Sequence, residues 1–184
     1  MISPFRLREA ARIIHHGGVV ACPTEAVYGL SCDPLNPRAV MRLLRLKQRP
    51  VEKGLILLAS DIQQLRPYAL LEGEWMTEVR ASWPGPVTWL LPARPALPSW
   101  INGGRDTVAC RVSAHPTAVA LCVAAGHALV STSANLAGRP PARSPLQVRL
   151  RCPGTDAILH DRLGELRQPT PIRDPRSGET HRAG

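Results

Sequence analysis

The sequence contains two lysines, Lys47 and Lys53, which stand six residues apart, while arginine supplies the remaining positive charge. Lysine offers a compact charge that fits between phosphate oxygens, whereas arginine offers a planar fork. Lys47 also continues the apolar face that Leu43 and Leu44 form on a helix predicted for residues 37–48. Because an ammonium is almost never buried without a partner, this helix ends beside a cleft or meets an anion there. A solvated basic face is the alternative.

Arg111 is a second cation that the pattern places on an unusual face. Strict alternation over the predicted strand 107–113 puts Cys110 on one face and Arg111 on the other, together with the small Ala109 and Ser113. A guanidinium above small side chains has room for a carboxylate ligand. The alternative is an arginine on an edge strand that reaches solvent.

Two further segments carry polar side chains at the ends of predicted strands. Residues 23–30 follow the first strand, at a position where open α/β sheets commonly meet ligands, although a turn capped by Thr24 is the simpler explanation. Residues 130–135 form an apolar strand that ends in hydroxyls and an amide. These groups could hold phosphate oxygens or could cap a turn.

Alternating strands and amphipathic helices must position these side chains. The patterns predict helices at 5–16, 37–48, 61–68, 73–83, 116–126 and near 145, and strands at 18–23, 54–59, 87–92, 107–113, 128–134, near 157 and near 172. This order predicts an α/β protein with a mixed sheet flanked by helices. At 184 residues the chain is predicted to form one domain, 1–184.

Composition excludes several classes of protein. The longest apolar runs are too short to span a bilayer, so we expect a soluble cytoplasmic protein with no membrane partner. The five cysteines are scattered without a C-x-x-C pair, and the histidines lack ligand spacing, so no metal site is predicted. Neither a P-loop nor a G-x-G-x-x-G turn occurs. The net charge of +9 nevertheless indicates an anionic partner.

Five ordered segments together resemble the YrdC-like family, in particular its short bacterial members. They are residues 23–30, 46–50 with 53–55, 83–88, 109–112 and 131–135. The resemblance implies a twisted sheet that encloses a basic concave groove. It also implies the reaction of L-threonine, bicarbonate and ATP, with Mg²⁺, to threonylcarbamoyl-adenylate and pyrophosphate. Partner proteins of that pathway then transfer the threonylcarbamoyl group to the tRNA adenosine 3′ of the anticodon.

The resemblance also implies a role for each matching residue. Lys47 and Arg49 are expected to be catalytic and to face the bicarbonate-derived group. The residues expected to bind threonine and bicarbonate are Thr24, Lys47, Arg49, Arg111 and Thr132. Those expected to bind the nucleotide are Lys53, Ser131, Ser133, Asn135 and Arg143. Residues 169–174 follow the family pattern only loosely, and Pro171 removes a backbone donor, so the resemblance does not carry a nucleotide contact to this segment.

A non-catalytic module that binds double-stranded RNA or tRNA is the competing interpretation. The basic charge favours it, and weak RNA affinity is compatible with the enzyme. However, the chain has one Phe and two Tyr and lacks an RNP-like aromatic motif. Release of pyrophosphate that depends on threonine and bicarbonate distinguishes the two functions.

Overall fold

Three of the described helices begin where a proline follows a capping residue. In the computed structural model, which describes residues 2–183, Ser3, Asn36 and Ser144 each accept a hydrogen bond from a backbone N–H of the first turn. The α-helices of this described part are α1 (Pro4–His15), α2 (Pro37–Lys47), α3 (Met76–Ser82), α4 (Ser99–Asn102), α5 (Pro116–Ala125) and α6 (Pro145–Arg151). None of them is long and apolar enough to cross a membrane.

The strands form one mixed sheet. They are β1 (Val20–Pro23), β2 (Tyr28–Ser31), β3 (Ile56–Ala59), β4 (Thr88–Pro92), β5 (Thr107–Val112), β6 (Leu129–Ser133), β7 (Ala157–Ile158), β8 (Ile172–Arg173) and β9 (Thr180–Arg182). Their spatial order is β7-β1-β2-β6-β3-β5-β4-β8-β9. The pairs β1–β7, β3–β5 and β4–β8 are parallel, and the other neighbours are antiparallel. Strand β5 therefore lies inside the sheet and not at its edge.

The two faces of the sheet are covered differently. On one face α2, α3 and α6 pack their apolar side chains over the strands. On the other face α1 and α5 cover Leu58 of β3 and Leu129 of β6. Ile56 lies two positions before Leu58 on β3, and Ser131 lies two positions after Leu129 on β6, so both point to this second face. The described helices do not cover them, and they line a cavity. The uncovered end of the second face is thus available for a ligand.

The structure confirms the predicted α/β fold with a mixed sheet and corrects several elements. Residues 28–31 were expected to be loop but form β2, whose four residues are all buried and so show no alternation. The helix predicted for 73–83 is shorter, and 61–68 contains only a 3₁₀ turn, Ile62–Leu65. Helix α4 and strand β9 were not predicted. The predicted domain 1–184 includes Met1 and Gly184, which lie outside the described residues.

Candidate functional site

The uncovered part of the sheet forms the floor of a cavity of about 620 Å³. Ser131, Ile56, Ala109 and Leu90 are partners across β6, β3, β5 and β4, and so form one row over four strands. Gly29 of β2 continues this floor, and a methyl group there would approach the Ser131 hydroxyl to 3.2 Å. The floor is formed by one row of strand residues, and the cavity size suits a small-molecule ligand.

Positive charge dominates the lining of this cavity. The cationic lining residues are Arg49, Lys53, Arg105, Arg111, Arg176 and Arg182. Two aspartates, Asp106 and Asp174, also line it. Asp174 is already paired with Arg176 at 3.0 Å, and this hydrogen bond lowers the pKa of its carboxyl group. The excess of cations indicates an anionic ligand such as a polyphosphate.

The segment after α2 brings Arg49 and Lys53 to one wall of the cavity. The Arg49 guanidinium donates to the carbonyl oxygens of Lys53 at 3.3 Å and of Gly54 at 3.0 Å, which closes the chain into a tight loop. Burial, together with nearby Arg105, lowers the pKa of Arg49. Gly54 has φ 63°, and a side chain there would press on the backbone of Asn102 at 3.3 Å. This wall therefore holds several cations close together, and no carboxylate of the described residues forms an ion pair with Arg49 or Lys53.

Lys47 points inward as predicted, but it does not line the cavity. Its side chain is 2% exposed, and its ammonium donates to the backbone oxygens of Ser133 and Asn135 and, at 3.4 Å, to the Asn135 side-chain oxygen. The sequence predicted a cleft or an anion at this position, and the partners are instead neutral oxygens of the turn after β6. Burial, followed by the charge of Arg49, lowers the pKa of Lys47 to about 8. Lys47 thus holds the turn that carries Ser133.

The direction change between Lys47 and Arg49 depends on Gln48. This residue has φ 49° and ψ 45°, a left-handed conformation that glycine adopts at lower cost, and the following Arg49 N–H bonds to Leu44 O at 3.0 Å. Lys47 can therefore face the core while Arg49 faces the cavity. Lys47 and Arg49 are separated by one residue, and the left-handed conformation of that residue, Gln48, directs the two side chains to different sides.

We expect Gln48→Gly to increase the free energy of unfolding by about 0.5 to 1 kcal/mol, because it removes the strain of a side chain in the left-handed region. Denaturant unfolding measures the change. Gln48→Ala keeps the strain and is the matched control, for which we expect no gain. An equal increase in both variants, or none in Gln48→Gly, would contradict this account of the helix end.

Arg111 lies on the cavity floor, where it is 5% exposed. The alternative of an edge-strand arginine in solvent is wrong, because β5 is central. Its Nη1 donates to the Thr170 hydroxyl at 2.5 Å, and its Nη2 lies 3.1 Å from a carboxylate oxygen of Glu25. Burial lowers the pKa of Arg111, and the charge of Glu25 opposes that shift. The buried Nε has no hydrogen-bond partner among residues 2–183.

The other predicted residues divide into two groups. Thr24, Ser131, Thr132 and Ser133 line the cavity, and the Thr24 hydroxyl also donates to Val27 O at 2.8 Å, as a turn cap does. Asn135 is buried beside the cavity, where its amide donates to the carbonyls of Leu136 and Arg139, both at 2.7 Å.

Arg143 is exposed and lies outside the cavity lining as the described residues form it. Its guanidinium donates to Arg167 O at 3.3 Å. The structure therefore does not bring Arg143 together with the other predicted nucleotide contacts.

The C-terminal hairpin supplies residues that the sequence reasoning missed. The cavity is lined here by Pro169, Thr170, Ile172 and Asp174, and Arg182 of β9 donates to Thr170 O at 2.6 Å and 3.2 Å. Pro171 lacks an N–H, yet its carbonyl accepts from Thr88 N at 3.0 Å, so the segment still pairs with β4. Asn102 and Arg105 were also missed. An Asn-Gly-Gly-Arg turn before a strand was the available signal for them.

Comparisons with known proteins match nearly the whole chain. The Sua5/YciO/YrdC family model, described as "Telomere recombination", matches residues 12–184. A Halorhodospira halophila protein named threonylcarbamoyl-AMP synthase is 60% identical over 178 residues, which cover 95% of this chain and 93% of the relative. A protein of the same name from Alkalilimnicola ehrlichii is 56% identical, with 97% and 96% covered.

Solved structures show the same fold. The crystal structure of P. abyssi Sua5 complexed with L-threonine superposes with a TM-score of 0.87 at 33% identity, covering 95% of this chain and 52% of that one. This chain therefore spans about half the length of that protein. E. coli YciO superposes with a TM-score of 0.80 at 28% identity, covering 91% of this chain and 82% of that one.

Proposed function

The chain belongs to the Sua5/YciO/YrdC family, and on that basis we propose that it is a threonylcarbamoyl-AMP synthase. The reaction joins L-threonine, bicarbonate and ATP into L-threonylcarbamoyladenylate and releases pyrophosphate and water. The observation that carries the proposal is the cavity, in which a buried arginine and a cluster of further cations face one small floor. Relatives at 50–60% identity carry this enzyme name over nearly their whole length.

The chemistry asks for positioning and for positive charge. The threonine amine adds to the carbon of bicarbonate, and water leaves to give a carbamate. A carbamate oxygen then attacks the α-phosphate of ATP, and pyrophosphate departs. Neither step needs a side-chain nucleophile. The rate of such a reaction is increased mainly by holding the reactants in position and by cations that offset the charge on the phosphate oxygens in the transition state.

We assign threonine and ATP to different parts of the cavity, with bicarbonate between the two assignments at the wall. Arg111, on the floor, binds the threonine carboxylate, with Thr24 and Thr132 nearby. Arg49 and Lys53, on the wall, face the phosphates and the bicarbonate-derived group, and we add Arg105 to this cation cluster. Ser131 and Ser133 hold the nucleotide from the end of β6. Lys47 and Asn135 act behind the lining, because Lys47 fixes the backbone of that strand end.

Mg²⁺ enters this proposal with ATP. No three His, Cys, Asp or Glu side chains among residues 2–183 are grouped as ligands for a metal. Mg²⁺ prefers phosphate oxygens and water, so the triphosphate would carry it into the cavity. Of the two aspartates in the lining, Asp174 is paired with Arg176, and Asp106 is the carboxylate that could contact the ion or its water. The tRNA-modification partners, weak RNA binding and a cytoplasmic location stay predictions.

The function is tested by pyrophosphate release from ATP, which we expect to require both threonine and bicarbonate. Valine should be a much poorer substrate than serine, because a pocket that hydrogen-bonds the threonine hydroxyl is left with unpaired polar groups when valine binds, whereas serine lacks only a methyl group. Steady-state rates with the three amino acids make the comparison. Equal rates with valine and threonine, or release without bicarbonate, would overturn the assignment.

A further inference from the structure

We propose that Glu25 is a positioning residue that holds the Arg111 guanidinium in the orientation that binds the amino-acid substrate. The proposal rests on the function proposed above, because it takes Arg111 as the contact of the threonine carboxylate. Glu25 lies between Thr24 and Ala26, which both line the cavity, but its own side chain lies behind the lining. It acts through Arg111 and is not itself a substrate contact.

Within residues 2–183 the Glu25 carboxylate contacts the Arg111 guanidinium and one hydroxyl. The residue is 7% exposed, and its Oε2 lies 3.1 Å from Arg111 Nη2. Its Oε1 accepts a hydrogen bond from the Ser113 hydroxyl at 2.6 Å, and the same hydroxyl oxygen accepts from His115 N at 3.1 Å. Ser113 therefore holds the carboxylate at the oxygen that does not face Arg111. A group that orients a binding residue needs such a contact, because it must itself stay in place.

The backbone of Glu25 is held as firmly as its side chain. Leu166 N donates to Glu25 O at 3.1 Å, and Gly164 N donates to Thr24 O at 3.0 Å. A methyl group on Gly164 would lie 2.6 Å from Glu25 O, so the two backbones are in close contact. The loop segment 164–166 thus holds the backbone of Thr24 and Glu25 in place through two hydrogen bonds.

Two contacts at different nitrogens hold the Arg111 fork, one a hydrogen bond and the other an ion pair, because Glu25 Oε2 has no hydrogen-bond partner among residues 2–183. Thr170 accepts from Nη1 at 2.5 Å, and Glu25 faces Nη2. Removal of one contact would let the guanidinium rotate about the other, and an arginine binds a carboxylate well only when its fork is aligned. An ion pair that only stabilised the fold would change unfolding but leave threonine affinity unaltered, so the two roles can be separated.

The test is Glu25→Gln in the full chain, a substitution that keeps the shape and removes the charge. Titration calorimetry should show threonine affinity reduced by about tenfold, with ATP affinity changed by less than about twofold. Asp156→Asn is the matched control, because Asp156 pairs with Arg42 at 2.5 Å outside the cavity. This control should lower the melting temperature and leave threonine affinity unchanged.

A double-mutant cycle shows whether Glu25 acts through Arg111. We expect Glu25→Gln/Arg111→Lys to bind threonine no more weakly than Arg111→Lys alone. If the Glu25 variant does not fold, Ser113→Ala replaces it, with an expected loss of threonine affinity of about threefold. Additive losses in the cycle, or wild-type threonine affinity in the single variants, would overturn the proposal. If the wild-type protein itself does not bind threonine in the same titration, the proposed function is overturned together with this proposal.

Discussion

Lys47→Met is expected to reduce threonine-dependent pyrophosphate release by about 30-fold to 1,000-fold, the rate equivalent of 2 to 4 kcal/mol. The ammonium holds backbone oxygens of Ser133 and Asn135, and methionine fills a similar volume without a donor. The turn after β6 would then lose the contacts that place Ser133 at the cavity. Lys47 is almost completely buried, so water cannot replace these contacts without rearrangement.

The same variant should also be less stable, by on the order of 1 to 3 kcal/mol, because Asn135 O loses its Lys47 donor while Ser133 O keeps the bond from Asn135 N. Removal of a buried charge offsets part of this cost. Denaturant unfolding and the pyrophosphate assay are run on the same preparation, and circular dichroism verifies the fold. Arg45→Met removes an exposed cation from the same helix and should change neither quantity appreciably. Full activity in Lys47→Met would contradict the role assigned to this lysine.

Local pattern predicted where side chains point better than what they touch. The helical phase correctly placed Lys47 with the core residues of α2, and strand alternation correctly placed Arg111 opposite Cys110. The partners of Lys47, however, are mainly backbone oxygens more than 80 residues away. Since every residue has a backbone carbonyl, no residue type marked those partners in the sequence.

Glu25 shows a signal that was present and was not used. It is the one charged residue in the segment 23–30, whose other residues are apolar or neutral. A lone carboxylate in a buried segment needs a cation, and Arg111 was a lone guanidinium on a face of small residues. The two observations together could have predicted the pair, although the sequence could not give their distance.

Of the two short C-terminal strands, β8 was predicted near residue 172 and β9 was not. β9 has three exposed residues and therefore no buried face that a pattern of apolar and polar side chains could mark. The pairing of the two strands depends on the edge that β4 offers, which is a property of the assembled sheet. Arg176 and Arg182 reach the cavity through the pairing of β8 with β4 and β9. The composition therefore indicated a basic protein but did not indicate that these two arginines lie at the cavity.

Arg111→Lys should lower threonine affinity by tenfold or more, about 1.5 to 3 kcal/mol, while ATP affinity changes little. Lysine keeps the charge but presents it at one point, and it cannot face Thr170, Glu25 and a ligand carboxylate in one plane as the guanidinium does. In the proposed arrangement the amino acid lies on the floor beside Arg111 and Ala109, and the nucleotide lies against the neighbouring cations of the lining. Separate titrations of threonine and ATP measure the two affinities.

Arg94→Lys is the control for the exchange of arginine for lysine, because Arg94 is exposed and donates to Arg66 O at 2.7 Å outside the cavity. It should bind both substrates as the wild type does. An equal loss of threonine and ATP affinity in Arg111→Lys would show that Arg111 serves the nucleotide or the whole floor. Unaltered threonine affinity would remove Arg111 from the carboxylate site, and the carboxylate would then have to bind the wall formed by Arg49 and Lys53, where it would compete with ATP for the same cations.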